Sequence, residues 1–148
     1  MLNQDFKEFA ELLNAHGVEY LVVGGYALAA HGHPRYTGDI DFWVHFTPDN
    51  IPRVLAALNE FGFSSLGLGV EDFTEDTILQ LGQPPRRIDI LTAIDGVDFD
   101  ACYARRESAI LGGVPLTVIG REDFVANKKA SGRPKDQIDL DALDPPDH

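Results

Sequence analysis

Apolar residues recur at helical spacing between Asp5 and Ala15, where Phe6, Phe9, Leu12 and Leu13 share a face and Gly17 follows as a stop. Val18–Val23 is a short apolar run rich in β-branched residues and predicts a strand. Gly24 and Gly25 then stand at the entrance to a helix over Tyr26–Ala30, and His31–Gly38 is a polar loop containing glycine and proline. Ile40–Phe46 reads as the second strand. Thr47 is an N-cap and Pro48 fits the first turn of a helix that runs to about Glu60 and ends near Gly62. Gly67–Gly82 is poorly patterned and reads as a short strand or a loop with a helical turn. Arg87–Thr92 alternates as a strand does, with Asp89 and Leu91 on one face and Ile88 and Ile90 on the other. Asp98–Arg106 is helical, Val114–Ile119 a further strand and Arg121–Ala130 a helix. Gly132 breaks that helix and Pro134 opens a last one; the acidic tail after Leu143 is expected to fray. This order predicts an α+β fold, a mixed twisted sheet flanked by helices, in one domain over residues 1–148.

The chemistry lies where the pattern is interrupted. Asp39 and Asp41 leave the second strand on one face, because alternate residues of a strand point the same way. Carboxylates that close repel, and one is driven to protonate unless a cation sits between them. Charge inside the apolar run IDFWV is costly if buried unpaired. A third acidic strand position, Asp89 in RRIDIL, supplies what a site for two metal ions would still need. Clustered titratable groups of this kind mark functional sites.

The glycine pair has the strand–turn–helix setting that binds phosphate, although alone it reads more readily as a packing turn. VVGGYALA supplies neither the dinucleotide pattern G-x-G-x-x-G nor the Walker pattern. His31 and His33 lack a third ligand for zinc and read as solvent-facing loop residues. Phe42 and Trp43 read as core rather than as a base-stacking platform, with alternation sending one of them inward.

Composition narrows the classes. The net charge of −12 argues against broad, nonspecific nucleic-acid binding, which depends on neutralising phosphates. Most arginines and lysines nevertheless fall between Arg86 and Lys135, and a basic wall facing an acidic metal cluster suits a nucleoside triphosphate with its metal. Cys102 is the single cysteine, which rules out an internal disulfide and a cysteine metal cluster; a packed core thiol is expected. No segment has the apolar length of a membrane span and MLNQDFKEF lacks a signal-peptide pattern, so a cytoplasmic location is expected.

The stretch GGYALAAHGHPRYTGDIDFWV resembles the signature of the polymerase-β-type nucleotidyltransferase superfamily: a glycine pair, a helix, then Asp-x-Asp. More narrowly, the run Arg35-x-Thr37-x-Asp39-Ile40-Asp41 resembles small bacterial members related to abortive-infection toxins and to aminoglycoside and lincosamide nucleotidyltransferases. NKKASGRPKDQIDLDAL resembles the closing helices of the toxin-like group, here about residues 121–143. The resemblance spans nearly the whole chain and implies the nucleotidyltransferase fold.

The resemblance also implies roles. Gly24 and Gly25 match the pair that positions the triphosphate, and Arg35 and Thr37 fall in the nucleotide-binding run, with Arg35 pairing with a phosphate or bracing the loop. Asp39 and Asp41 match the carboxylates that ligate two Mg²⁺ (or Mn²⁺) ions, and Asp89 the third, which holds the catalytic metal. Lys128 matches a recurrent phosphate-contacting lysine, with Lys129 as the alternative, and Asp136 matches the acid of the closing helix. The implied activity is transfer of a nucleoside monophosphate from an NTP to an acceptor, which is an RNA, a protein or a small molecule. An antitoxin or a second copy of the chain is the further partner implied. The alternative is a catalytically silent protein of the same fold that binds nucleotide or protein as a regulator.

Overall fold

In the computed structural model, which describes residues 2–33 and 37–143, helix α1 (Gln4–Ala15) starts at an asparagine cap. Asn3 Oδ1 accepts from the Phe6 N–H at 2.9 Å, and the helix buries Phe6, Phe9, Ala10 and Leu13. Strand β1 (Tyr20–Val23) is buried throughout and runs straight into α2 (Gly24–Ala30), so both glycines lie inside the first helical turn rather than before it. Strand β2 (Asp39–Val44) follows. Thr47 caps the next helix as expected, its Oγ1 accepting from the Asn50 N–H at 3.1 Å, and α3 covers Asn50–Leu58. Beyond Leu58 the chain loosens into a π-helical turn (Asn59–Phe63), with Gly62 at a φ of 120° that only glycine adopts easily.

The poorly patterned segment contains both of its alternatives. A 3₁₀ turn (Val70–Asp72) precedes strand β3 (Ile78–Leu81). Strand β4 (Arg87–Leu91) and helix α4 (Phe99–Ala104) then match the predicted elements, α4 being capped by Asp98. Strand β5 (Glu107–Leu111) was not expected. It is an edge strand with little burial and hence no apolar alternation. It pairs with β6 (Val114–Val118) through the two-residue loop Gly112–Gly113, both at positive φ, which is the hairpin chemistry that glycine pairs favour. Helix α5 (Arg121–Ser131) stops at Gly132 in the left-handed conformation, and α6 (Pro134–Leu143) packs against it. No helix among the described residues is long and apolar enough to cross a membrane.

The sheet order is β3-β4-β2-β1-β6-β5. The β1/β6 and β2/β4 pairs are parallel; the other three are antiparallel. Strand β2 is covered on both faces, which corrects the expectation that only one of Phe42 and Trp43 turns inward. Phe42 packs edge-on against Phe9 of α1 at 5.5 Å, while Trp43 packs against Phe99 of α4 at 5.0 Å. Only the N-terminal end of that second face, at Asp39 and Asp41, is left partly open. His31 is also less exposed than expected: it ends α2, and its Nε2 lies 2.8 Å from the Ile119 carbonyl oxygen. Cys102 is a buried core thiol, as expected, and burial pushes its pKa up to about 11.

The ends of β1 and β2 opposite the aspartates are tied by one side chain. Asn50 is 1% exposed; its Oδ1 accepts from the Glu19 N–H at 2.8 Å and its Nδ2 donates to the carbonyls of Glu19 and His45 at 3.0 and 2.9 Å. Asn50→Ala strips partners from three backbone groups, and a loss of about 2–3 kcal/mol in unfolding free energy is expected by chemical denaturation.

Candidate active site

The parallel register of β2 and β4 assembles the acidic cluster. Asp39 stands beside Arg87, Asp41 beside Asp89 and Trp43 beside Leu91, all on the same face. Each of the three aspartates offers a carboxylate oxygen within 4.8 Å of the other two, so the predicted triad is brought together. Asp89 is buried, at 5% exposure, and the other two are half-buried.

The glycine pair gives the triad its space. Gly24 has a φ of 70°, and a Cβ at this position would collide with the carboxylate of Asp41. At Gly25 an added Cβ would come within 3.0 Å of Thr37 Cβ. Both glycines therefore let the β1–α2 turn pass directly over the acidic end of β2. Thr37 supports the same end: its Oγ1 donates to the Asp39 carbonyl at 3.1 Å and lies 3.3 Å from Asp39 Oδ1. Arg35 lies outside the described residues.

Sequence reasoning did not single out Arg87. Its Nε and Nη2 donate to the two oxygens of Asp89 at 2.9 and 3.1 Å, and Nη2 also lies 3.4 Å from Asp39 Oδ2. The signal was present in RRIDIL, because residues two apart on a strand share a face. One guanidinium does not balance three carboxylates. Burial, reinforced by the charges of Asp39 and Asp89, pushes Asp41 up to about 8. Asp39 moves the other way: burial alone would raise it, but the hydrogen bond from Asp41 and the charge of Arg87 hold it below its ordinary value. A site that keeps a proton on Asp41 at neutral pH is short of positive charge. Its donors are hard carboxylate oxygens, the kind that Mg²⁺ and Mn²⁺ take. The three aspartates therefore fit a divalent cation.

A cleft of ≈ 490 Å³ opens beside the triad. Gly24, Gly25 and Thr37 form one wall, Ile78, Leu91 and Ile94 another, and Lys128, Ser131, Arg133 and Lys135 the side formed by α5 and α6. Such a volume suits a small ligand.

Of the two candidate lysines, Lys128 borders this cleft, whereas Lys129 borders a separate groove of ≈ 270 Å³ between α5 and α6. Lys128 is nonetheless not a free phosphate contact. It is 4% exposed, with Nζ 3.1 Å from Asp136 Oδ1 and 3.4 Å from Asp139 Oδ2. Asp136, expected among the nucleotide contacts, is fully buried and does not border the cleft. It accepts from the N–H and Nε of Arg133 at 3.1 and 2.9 Å. Burial raises its pKa, but hydrogen bonds from Arg133, Ser131 and Lys128 outweigh that and hold it well below the usual carboxylate range. A lysine and an acid that the resemblance matches to nucleotide contacts thus join α5 to α6. Arg133 and Lys135 also border the cleft, Arg133 with its Nε paired to Asp136; neither was given a nucleotide-binding role from the sequence.

Among solved structures, the lincosamide antibiotic adenylyltransferase LnuA in its lincomycin-bound form superposes with a TM-score of 0.60 at 12% identity, covering 98% of each chain. An antigenic nucleotidyltransferase-like protein from Paracoccidioides brasiliensis superposes with a TM-score of 0.51 at 16% identity, over 96% of this chain and 75% of the other. At these identities the likeness is one of fold, and the fold is that of nucleotidyltransferases. No curated protein matches the chain at a significant level. Residues 2–144 match the family described as nucleotidyltransferases of unknown function, DUF6036, and the chain belongs to that family.

Proposed function

We propose that the chain transfers a nucleoside monophosphate from an NTP to the hydroxyl of a small acceptor, with divalent metal held by Asp39, Asp41 and Asp89. The observation that carries this reading is the triad itself, three carboxylates within 4.8 Å at the mouth of a glycine-walled cleft. Magnesium bound there supplies the Lewis acidity that steadies charge on the reacting phosphoryl group and on the departing pyrophosphate. The close approach that Gly24 and Gly25 permit brings the start of α2 against Asp41 and Thr37, beside the cleft in which the triphosphate would lie. Arg133 and Lys135 face it from across the cleft and offset its charge. Asp89, the most buried of the three, is the group in this reading that takes the proton from the acceptor hydroxyl.

Two features favour a small acceptor. The wall of Ile78, Leu91 and Ile94 offers apolar surface beside the triad, and the net charge of −12 opposes a polyanionic partner. LnuA, covered over 98% of its chain, is a lincosamide antibiotic adenylyltransferase with lincomycin bound.

The electrostatics sets a stability test. Asp41 has its pKa raised from an ordinary 3.8 to about 8, so the folded protein binds a proton that the unfolded chain releases across that window. The stability this contributes is complete below the lower value and is lost as pH rises through the upper one; Asp39, lowered, acts only below the window. Without metal, unfolding temperature should therefore fall as pH rises from about 4 to about 8. Magnesium should restore roughly 5 °C at the alkaline end, read by calorimetry. Asp41→Asn, an isostere of the protonated form, should flatten the pH dependence and remove the magnesium effect. A wild-type profile with no slope and no response to magnesium counts against the metal site.

Catalysis is read by pyrophosphate release with each of the four NTPs and a panel of hydroxyl-bearing small molecules. Asp39→Asn and Asp41→Asn should each lower the rate by at least ~100-fold, beyond what loss of an outer-shell partner costs. An Asp41→Asn enzyme that still turned over normally would refute the assignment.

A further inference from the structure

Arg87 occupies carboxylate oxygens that a cation held by the triad would take. Its fork takes up both oxygens of Asp89, the most buried carboxylate of the three, and its Nη2 reaches Asp39 as well. A guanidinium and a divalent ion held against the same carboxylate repel each other strongly in a poorly solvated site. Arg87 is not locked in place, however. Its side chain is 29% exposed and borders the cleft that Arg133 and Lys135 also border. A long, flexible stem lets its head move while the strand stays fixed.

We propose that Arg87 is a removable counterion that couples metal binding to nucleotide binding. In the metal-free protein it neutralises Asp89 and Asp39. When metal arrives together with a nucleoside triphosphate, the guanidinium leaves Asp89 and pairs with phosphate oxygens, for which its planar fork is equally suited. This inference rests on the reading of the triad as a metal-binding nucleotidyl-transfer site. Metal alone must displace Arg87 without offering it a new anion, whereas metal with nucleotide supplies one. The site thus resists filling until its substrate is present.

A fixed brace makes the opposite prediction. If Arg87 only orients Asp89 for the metal, removing its charge weakens metal binding. If Arg87 competes with the metal, removing its charge strengthens it. Arg87→Gln takes away the charge while keeping an amide donor for Asp89, and Arg87→Lys keeps the charge but cannot span both oxygens. Binding of Mn²⁺ to the full chain is followed by the electron paramagnetic resonance of the free ion, with and without α,β-imido analogues of the four NTPs. Without nucleotide, Arg87→Gln should bind Mn²⁺ about tenfold more tightly than wild type, a coupling of ordinary size between linked sites, with Arg87→Lys in between. With Mn²⁺ saturating, both variants should bind the analogue more weakly than wild type, Arg87→Gln by about tenfold.

Unchanged or weaker Mn²⁺ binding by Arg87→Gln overturns the proposal, and unchanged analogue binding overturns the transfer to phosphate. Should Arg87→Gln fail to fold, Arg87→Lys decides by the same signs. Absence of Mn²⁺ binding in wild type and variants alike, even with nucleotide, overturns the underlying reading of the triad instead.

Discussion

Three carboxyl groups are held together by the apolar side of the same two strands. Behind Asp39, Asp41 and Asp89, the opposite faces of β2 and β4 present Ile40 against Ile88 and Phe42 against Ile90, all buried. A slip of one residue in this register would send each aspartate into the core and each isoleucine into the cleft. Burial of these four side chains, each worth on the order of 1.5–3 kcal/mol, opposes the repulsion that would otherwise part the carboxylates. The remaining electrostatic deficit is met locally, by the fork of Arg87 and by the proton that Asp41 retains.

The far wall of the cleft is built on a different principle. Lys128, Arg133, Asp136 and Asp139 form a charged cluster between α5 and α6, with Lys128 and both aspartates almost wholly removed from solvent. Such a cluster recovers its desolvation cost only through close pairing, so it contributes more to fixing one geometry than to net stability. It sets α6 at one position against α5 and leaves Arg133 and Lys135 along the cleft. Loop packing adds to this wall, since Asn127 Nδ2 donates to the Asp95 carbonyl at 2.9 Å and Gly96 sits directly against Ala130.

Elements whose local pattern agreed with their burial were legible in the sequence. Helix α1 declared itself by the spacing of Phe6, Phe9 and Leu13, and β4 by the alternation around Asp89. Strand β5 was not legible from apolar periodicity, because an exposed edge strand buries almost nothing; the Gly112–Gly113 pair was its only mark. His31 looked like a loop residue because its partner, the Ile119 carbonyl, is 88 residues away in the chain. The sequence left Lys128 and Lys129 as alternatives; Lys128 borders the cleft, and its engagement with Asp136 and Asp139 depends on how α6 folds back.

The amino-acid order alone determined the mixed α+β class, the glycine turn and the placing of Asp39 and Asp41 on one face of a strand; Asp89 joins them only through the pairing of β2 with β4. The first three follow from strand alternation, turn chemistry and the rarity of charge within apolar runs, all of which act over a few residues. Only the tertiary structure decided which cations face those carboxylates, with Arg87 on Asp89 and Arg133 and Lys135 across the cleft, while Lys128 turned inward. Pairing of charges is a property of distance in space, and a linear pattern fixes distance only within one strand or one helical turn.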